Sequence, residues 1–98
     1  MSNEKLDSVS VCHNPAASRY EIEIDGHLAV AEYAREADGR VVFTHTFVPP
    51  ELRGRGLAEK LVRRALEDAR DENRRVVPAC SYVATFIERH GEFQALLA

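Results

Sequence analysis

The hydrophobic periodicity of this chain changes once, at Pro49-Pro50, and this change constrains the fold more than any other feature of the sequence. Before the two prolines, apolar residues recur at every second position, which is typical of half-buried strands. After them, apolar residues recur every three or four positions, as on one face of a helix. Since proline cannot donate to a strand ladder, it ends the strand before it. We therefore expect a sheet in the first half, packed against helices of the second.

Three strands are predicted in the first half. Alternation over residues 19–25 indicates the first strand, and Asp25-Gly26 is typical of a tight hairpin turn. The second strand runs from His27 to about Arg35, and Asp38-Gly39 forms the next turn. The third covers Arg40–Val48. Three strands joined by such short turns form an antiparallel meander.

Two helices and one further strand are predicted in the second half. Residues 56–72 form an amphipathic helix, and Val76-Val77 forms a short strand that Pro78 closes. This strand pairs in parallel, because a helix connects it to the preceding strand. A second helix runs from Ser81 to His90, with Ser81 as its N-cap. The predicted class is α+β, in the order β-β-β-α-β-α, with a mixed sheet that contains the three-stranded meander.

Composition excludes several classes of function. Ninety-eight residues suit one domain, in which residues 1–18 form a polar and partly flexible N-terminal segment. The net charge of −3 is opposite to what a nucleic-acid binder needs, and no apolar run is long enough to cross a membrane. The histidines and cysteines lack the spacing of metal ligands, so we expect no metal. Cys12 and Cys80 are expected to be thiols in a cytoplasmic protein, as monomer or homodimer.

The segment most suggestive of chemistry is the glycine-containing loop between the third strand and the first helix. Backbone amides of Arg53 to Ala58 lie at a helix N-terminus, where the helix dipole favours an anion. Gly54 and Gly56 let the backbone curl towards a phosphate, and Arg53 and Arg55 add positive charge. A purely structural turn is the alternative. No Lys-Ser or Lys-Thr follows the loop, so a nucleotide P-loop is not supported.

This loop resembles the acetyl-CoA motif of the GNAT (GCN5-related N-acetyltransferase) superfamily, in which Arg or Gln is followed three and five residues later by Gly and by Gly or Ala. Arg53, Gly56 and Ala58 match that motif. The resemblance implies a short GNAT-like fold in which the loop amides hold the CoA pyrophosphate. It also implies that main-chain groups of the preceding strand pair with the pantetheine arm. The predicted cofactor-binding residues are Thr46, Phe47, Val48, Arg53, Gly54, Arg55, Gly56, Leu57 and Ala58.

A second match to the family lies in the predicted last helix, where Phe86, Glu88, Arg89 and Gly91 align with its pattern. A short subgroup of GNAT-like proteins is more similar still, over about residues 19–97. Its motifs match three segments of this chain, which are His45-Thr46-Phe47-Val48-Pro49, the Pro-x-Cys segment Val76-Val77-Pro78-Ala79-Cys80, and His90-Gly91-Glu92-Phe93.

Two residues depart from the usual family pattern. Ile87 replaces the tyrosine that protonates the leaving thiolate, and Cys80 replaces an asparagine beside the pantetheine. The helix dipole favours the Cys80 thiolate, which is either a nucleophile or a replacement acid; a buried structural cysteine is the alternative. His45 is a candidate base, although alternation with Phe43 predicts a core histidine instead. Tyr82 is a third possible acid.

The resemblance implies an N-acetyltransferase that moves an acetyl group from acetyl-CoA to an amine of a small molecule or a protein. The alternatives are a non-catalytic acyl-CoA-binding module and a structural α+β adaptor without a ligand. Typical family members insert helices after their first strand, and Asp25-Gly26 leaves no room for them here. We therefore expect an open acceptor side that suits an exposed amine or is completed by a second subunit.

Overall fold

The computed structural model describes residues 9–98. Five strands form one mixed sheet in sequence order. The first four are antiparallel to one another in succession, and the fifth pairs in parallel with the fourth. The strands are β1 (Cys12–Asn14), β2 (Arg19–Ile24), β3 (His27–Arg35), β4 (Val41–Phe47) and β5 (Val76–Pro78). Two α-helices follow β4 and β5, namely α1 (Leu57–Asp71) and α2 (Ser81–Arg89). Short 3₁₀ helices cover Pro15–Ala17, Pro50–Leu52 and Gly91–Leu96.

The structure confirms the predicted α+β class, the antiparallel meander, the parallel pairing of the last strand and both helices. It adds β1, which lies within the predicted polar segment of residues 1–18 and extends the meander by one strand. Three residues are too few to produce a visible alternation, so the hydrophobic pattern could not reveal this strand. The first eight residues of that segment lie outside the described residues.

Both helices pack on the same side of the sheet. The apolar face of α1, which includes Leu61 and Leu66, is buried against residues such as Ile22 and Phe43 in one continuous core. The second helix flanks the first, because the Arg63 guanidinium of α1 lies 5.4 Å from the centre of the Phe86 ring of α2. The sheet therefore has one face covered by helices and one face that neither α1 nor α2 covers.

A β-bulge interrupts the pairing of β3 with β4. Glu32 pairs with His45 and the next residue, Tyr33, pairs with Phe43, so Thr44 is an extra residue without a partner on β3. An extra residue of this kind reverses the alternation of side chains beyond it, because the period of a strand is two.

The bulge overturns the prediction of a core histidine. Phe43 points into the core and is 1% exposed, whereas His45 is exposed on the open face of the sheet. Phe47 shares that face and is 42% exposed. Thr46 instead pairs with the buried Ala31 and points towards the helices. Strict alternation failed here because nothing in the composition of β4 marks the extra residue.

Candidate active site

The loop between β4 and α1 has the backbone geometry that its glycines suggested. Gly54 and Gly56 have φ angles of 83° and 73°, in the left-handed region that other residues adopt only with strain. A Cβ atom added at either position would meet nothing within 4 Å. The glycines are therefore needed for backbone conformation, and the space in front of them is open.

The amide groups of this loop are free to bind an anion. The N–H groups of residues 54–58 donate no hydrogen bond within the described part of the chain. They surround the N-terminus of α1, where the helix dipole adds a partial positive charge. Leu57 is buried, so only its amide faces the loop, while Ala58 is half-buried. We call the amides of residues 54–58 the amide cradle.

Arg53 ties the amide cradle to the end of β4. Its Nε atom donates a hydrogen bond to the carbonyl oxygen of Val48 at 3.0 Å. This contact fixes the loop relative to the strand and occupies one acceptor position of that carbonyl. Arg55 is exposed, so its charge adds to the positive potential at the helix N-terminus.

The strands β4 and β5 separate beside the amide cradle, at a point that we call the fork. Their pairing ends at Phe43 and Pro78, and the Cys80 N–H then donates to the Phe43 carbonyl oxygen at 2.8 Å. Beyond this contact, residues 45–47 of β4 pair with β3 on one side only. The other edge of β4 is therefore open to an extended ligand that pairs like an added strand.

Cys80 lies in the fork, and its sulfur is 3.5 Å from the Thr46 hydroxyl. It occupies the N-cap position of α2, so the prediction of Ser81 as N-cap was wrong; Ser81 is the first residue of the helix. The cause is the β-region conformation of Cys80, which makes it the N-cap, one residue earlier than expected.

The surroundings of Cys80 favour its thiolate. Partial burial by itself would raise the pKa of the thiol, but contacts from the Thr46 hydroxyl and from backbone N–H groups at Val83, Tyr82 and Thr46 outweigh it, and the pKa is lowered. The Cys80 sulfur accepts no capping hydrogen bond of full geometry from the amides of α2. The approach of N–H groups from the first turn of α2 is nevertheless the arrangement that stabilises a negative sulfur.

The side chains of the other two candidate catalytic residues have different surroundings from the Cys80 sulfur. Tyr82 lines a cavity of about 120 Å³ between the two helices, together with Glu59, Arg89 and other residues. Burial and the negative charge of Glu59 raise the pKa of Tyr82, so its hydroxyl keeps its proton. His45 lies on the open face, with its ring stacked on Phe47 at a centroid distance of 6.4 Å.

The structure therefore brings together Cys80 and Thr46, whereas His45 lies on the open face and Tyr82 lines the cavity between the helices. The sequence prediction used only the main chain of Thr46 and missed its hydroxyl as a partner of the thiol. Adjacent parallel strands bring residues near their carboxyl ends together, and this rule is the signal that could have suggested the pair. Glu32, the cross-strand neighbour of His45, was also missed.

Residues 9–98 contain no cluster of three or more side chains suited to holding a metal ion. Neither α-helix of this range has the length and apolar character that a bilayer crossing requires.

Comparison with known proteins relates the chain to a protein family and to a solved structure. The model of the family described as GCN5-related N-acetyl-transferase matches residues 19–96. The NMR solution structure of an inferred, GCN5-like N-acetyltransferase from Staphylococcus aureus is similar to this chain, with a TM-score of 0.71 and 26% sequence identity. That likeness covers 92% of this chain and 88% of the other.

Proposed function

Because this chain belongs to the GCN5-related N-acetyltransferase family, we propose that it transfers the acetyl group of acetyl-CoA to an amine. The observation that carries this proposal is the position of the amide cradle beside the fork. The amide cradle offers unpaired N–H groups to a pyrophosphate. The fork offers an open strand edge and a polarised thiol to a thioester.

The residues of the loop fit the pyrophosphate of acetyl-CoA. Free amides at residues 54–58, two exposed arginines and open space before Gly54 and Gly56 favour a bound anion. The pantetheine arm would then lie along the open edge of β4, where main-chain groups of Thr46 and Val48 would pair with its amides. Phe47 would contribute its main chain, since its side chain is on the open face.

Acetyl transfer requires a neutral amine, a stabilised oxyanion and a leaving thiolate. The amine nitrogen forms a bond to the thioester carbonyl carbon, the C–S bond breaks, and the proton lost by the amine is balanced by one gained by the CoA sulfur. Backbone N–H groups at the bulged end of β4 would stabilise the oxyanion without a special side chain. His45 faces the uncovered side of the sheet, so we assign it to proton removal from the amine.

Cys80 has two possible roles within this reaction. As a nucleophile it would accept the acetyl group first, releasing CoA, and would then pass the group to the amine. As an acid it would protonate the departing CoA sulfur. Its lowered pKa supports the nucleophile, because a larger thiolate fraction attacks faster near neutral pH.

A non-catalytic acyl-CoA-binding module is the second candidate. It is favoured by Ile87, which stands at the family's tyrosine position and is 1% exposed. Tyr82, the other candidate acid, lines the cavity between the helices. A module of this kind would use the amide cradle but release no CoA.

The test compares the protein with Cys80→Ala and with Cys12→Ala, since Cys12 is the other free cysteine and lies on β1. Each protein is incubated with acetyl-CoA and a panel of amines, and free CoA is followed with a thiol reagent. We expect release by the parent and by Cys12→Ala, and strongly reduced release by Cys80→Ala. Intact mass after incubation without an amine separates the two roles, because only a nucleophile retains an acetyl group. Tight binding of acetyl-CoA without release with any amine would favour the module.

A further inference from the structure

The open face of the sheet has an apolar and aromatic centre with acidic surroundings. Cross-strand pairing places Val30 between Glu21 and Phe47, and Glu32 beside His45. Phe47 is 42% exposed, although it lies in a strand beside a core position. We call the side chains of residues 21, 23, 30, 32, 45 and 47 the open-face surface.

The charge of this surface is negative. Arg19 forms an ion pair with Glu21, so these two residues largely cancel. Glu23 and Glu32 form no ion pair with any residue of the range 9–98. Since adjacent strands are about 4.8 Å apart, Glu32 lies roughly 5 Å and Glu23 roughly 10 Å from β4 across the sheet.

We propose that the open-face surface docks a basic, lysine-bearing peptide segment of a protein, whose lysine is the acetyl acceptor. This inference rests on the proposed function, because it assumes that the amine is acetylated at the fork. The helices cover the other side of the sheet, so a bulky acceptor reaches the end of β4 from the open face. A cation on either side of the lysine would meet Glu23 or Glu32.

The shape of the surface selects a peptide over a small amine. Small-molecule sites are concave and enclose most of their ligand, whereas His45 and Phe47 are exposed side chains on a sheet face. Exposed ion pairs contribute little one at a time, so a free polyamine would gain little here. A peptide adds contacts with the exposed Phe47, and aromatic residues are enriched at protein interfaces.

Charge also argues against a second copy of this chain as the occupant. In a two-fold interface the same surface meets itself, so the free carboxylates of Glu23 and Glu32 would approach those of the other copy. Like charges in an interface disfavour association. A basic segment is complementary to the same carboxylates.

The experiment measures docking separately from catalysis. A fluorescent peptide with one lysine between arginines is titrated with the protein without acetyl-CoA, and anisotropy is recorded at low and high salt. The acidic comparison peptide has glutamates in place of the arginines. We expect binding of the basic peptide only, weakened by salt because Glu23 is exposed and Glu32 is only half-buried. Glu23→Gln with Glu32→Gln should weaken binding about fourfold, since each charge pair at the surface is worth roughly a factor of two.

The matched control is Glu67→Gln with Glu88→Gln, which makes the same change of charge on the two helices. It should bind the basic peptide as the parent does. Equal loss in this control, equal binding of both peptides, competition by spermidine at the peptide's own concentration, or self-association through the surface in sedimentation would each overturn the proposal. Docking of the peptide, together with no CoA release in the assay with acetyl-CoA, would refute the proposed acetyl transfer but not the docking surface.

Discussion

Gly56 gives the sharpest test of the amide cradle, because its conformational and binding roles can be separated. It is the N-cap of α1 with φ 73° and ψ 21°, and a Cβ at this position meets no atom within 4 Å. Gly56→Ala should therefore fold without a clash. The left-handed backbone costs a non-glycine residue about 1–2 kcal/mol, and the stiffer unfolded chain returns part of that. We expect a net loss of about 1 kcal/mol, which lowers Tm by about 4–8 °C in a domain of this size.

The loss of binding should be larger than this loss of stability. The new methyl group would stand between a phosphate and the free amides, and a hydrogen bond to a charged group is worth about 1.5–3 kcal/mol. We therefore expect calorimetry to show acetyl-CoA binding weakened about 10- to 100-fold. Gly26→Ala is the matched control, since Gly26 has φ 79°, equally open space and a position in the β2–β3 hairpin. It should lose similar stability and keep full binding. Unchanged binding by Gly56→Ala, or equal losses in both variants, would refute the reasoning.

Three further predictions follow from individual contacts. Thr46→Val removes the hydroxyl beside the Cys80 sulfur, so the pKa of that thiol should rise and its alkylation by iodoacetamide should require higher pH; an unchanged pH profile would show that the hydroxyl does not act on the thiol. Phe43→Ala should lower the free energy of unfolding in urea by about 3–5 kcal/mol, whereas Phe47→Ala should cost less than about 1 kcal/mol; similar costs would contradict the reversal of faces at the bulge. Burial, a hydrogen bond to a carboxylate of α1 and its charge raise the pKa of Tyr20, so its contribution to stability is complete below the unfolded pKa of about 10 and declines above it. Tyr20→Phe should lower stability by about 1 kcal/mol at neutral pH and flatten the decline in unfolding titrations between about pH 10 and 11; a decline as steep as the parent's would place its cause in another group.

The sequence predicted those parts of the fold that depend on local periodicity and turn chemistry. The turns at Asp25-Gly26 and Asp38-Gly39 and the apolar face of α1 are local signals, and each led to the observed element. The positive φ angles of Gly54 and Gly56 likewise agree with the turn that a glycine-containing loop suggested. The Pro-x-Cys subgroup and the assigned role of each site residue remain predictions.

Nonlocal features could not be read from the sequence. The face of His45 depends on one extra residue in β4, and that residue is defined only by pairing with β3. The contact of Cys80 with Thr46 joins positions 34 residues apart, and it exists because β4 and β5 separate at that point. The N-cap of α2 is Cys80, one residue before the predicted Ser81, because backbone conformation, and not the side-chain preference of Ser81, determined the cap. In each case tertiary pairing outweighed the local pattern.

The most direct test of the central claim is an amide chemical-shift titration of the ¹⁵N-labelled protein with acetyl-CoA. The free N–H groups of residues 54–58 would accept the pyrophosphate as their hydrogen-bond partner, so we predict that their signals move most. Signals of residues 44–47 at the open edge of β4 should move with them at the same concentration of ligand. Saturation with acetyl-CoA that leaves the signals of residues 54–58 in place, or shifts confined to another part of the sheet, would contradict the account.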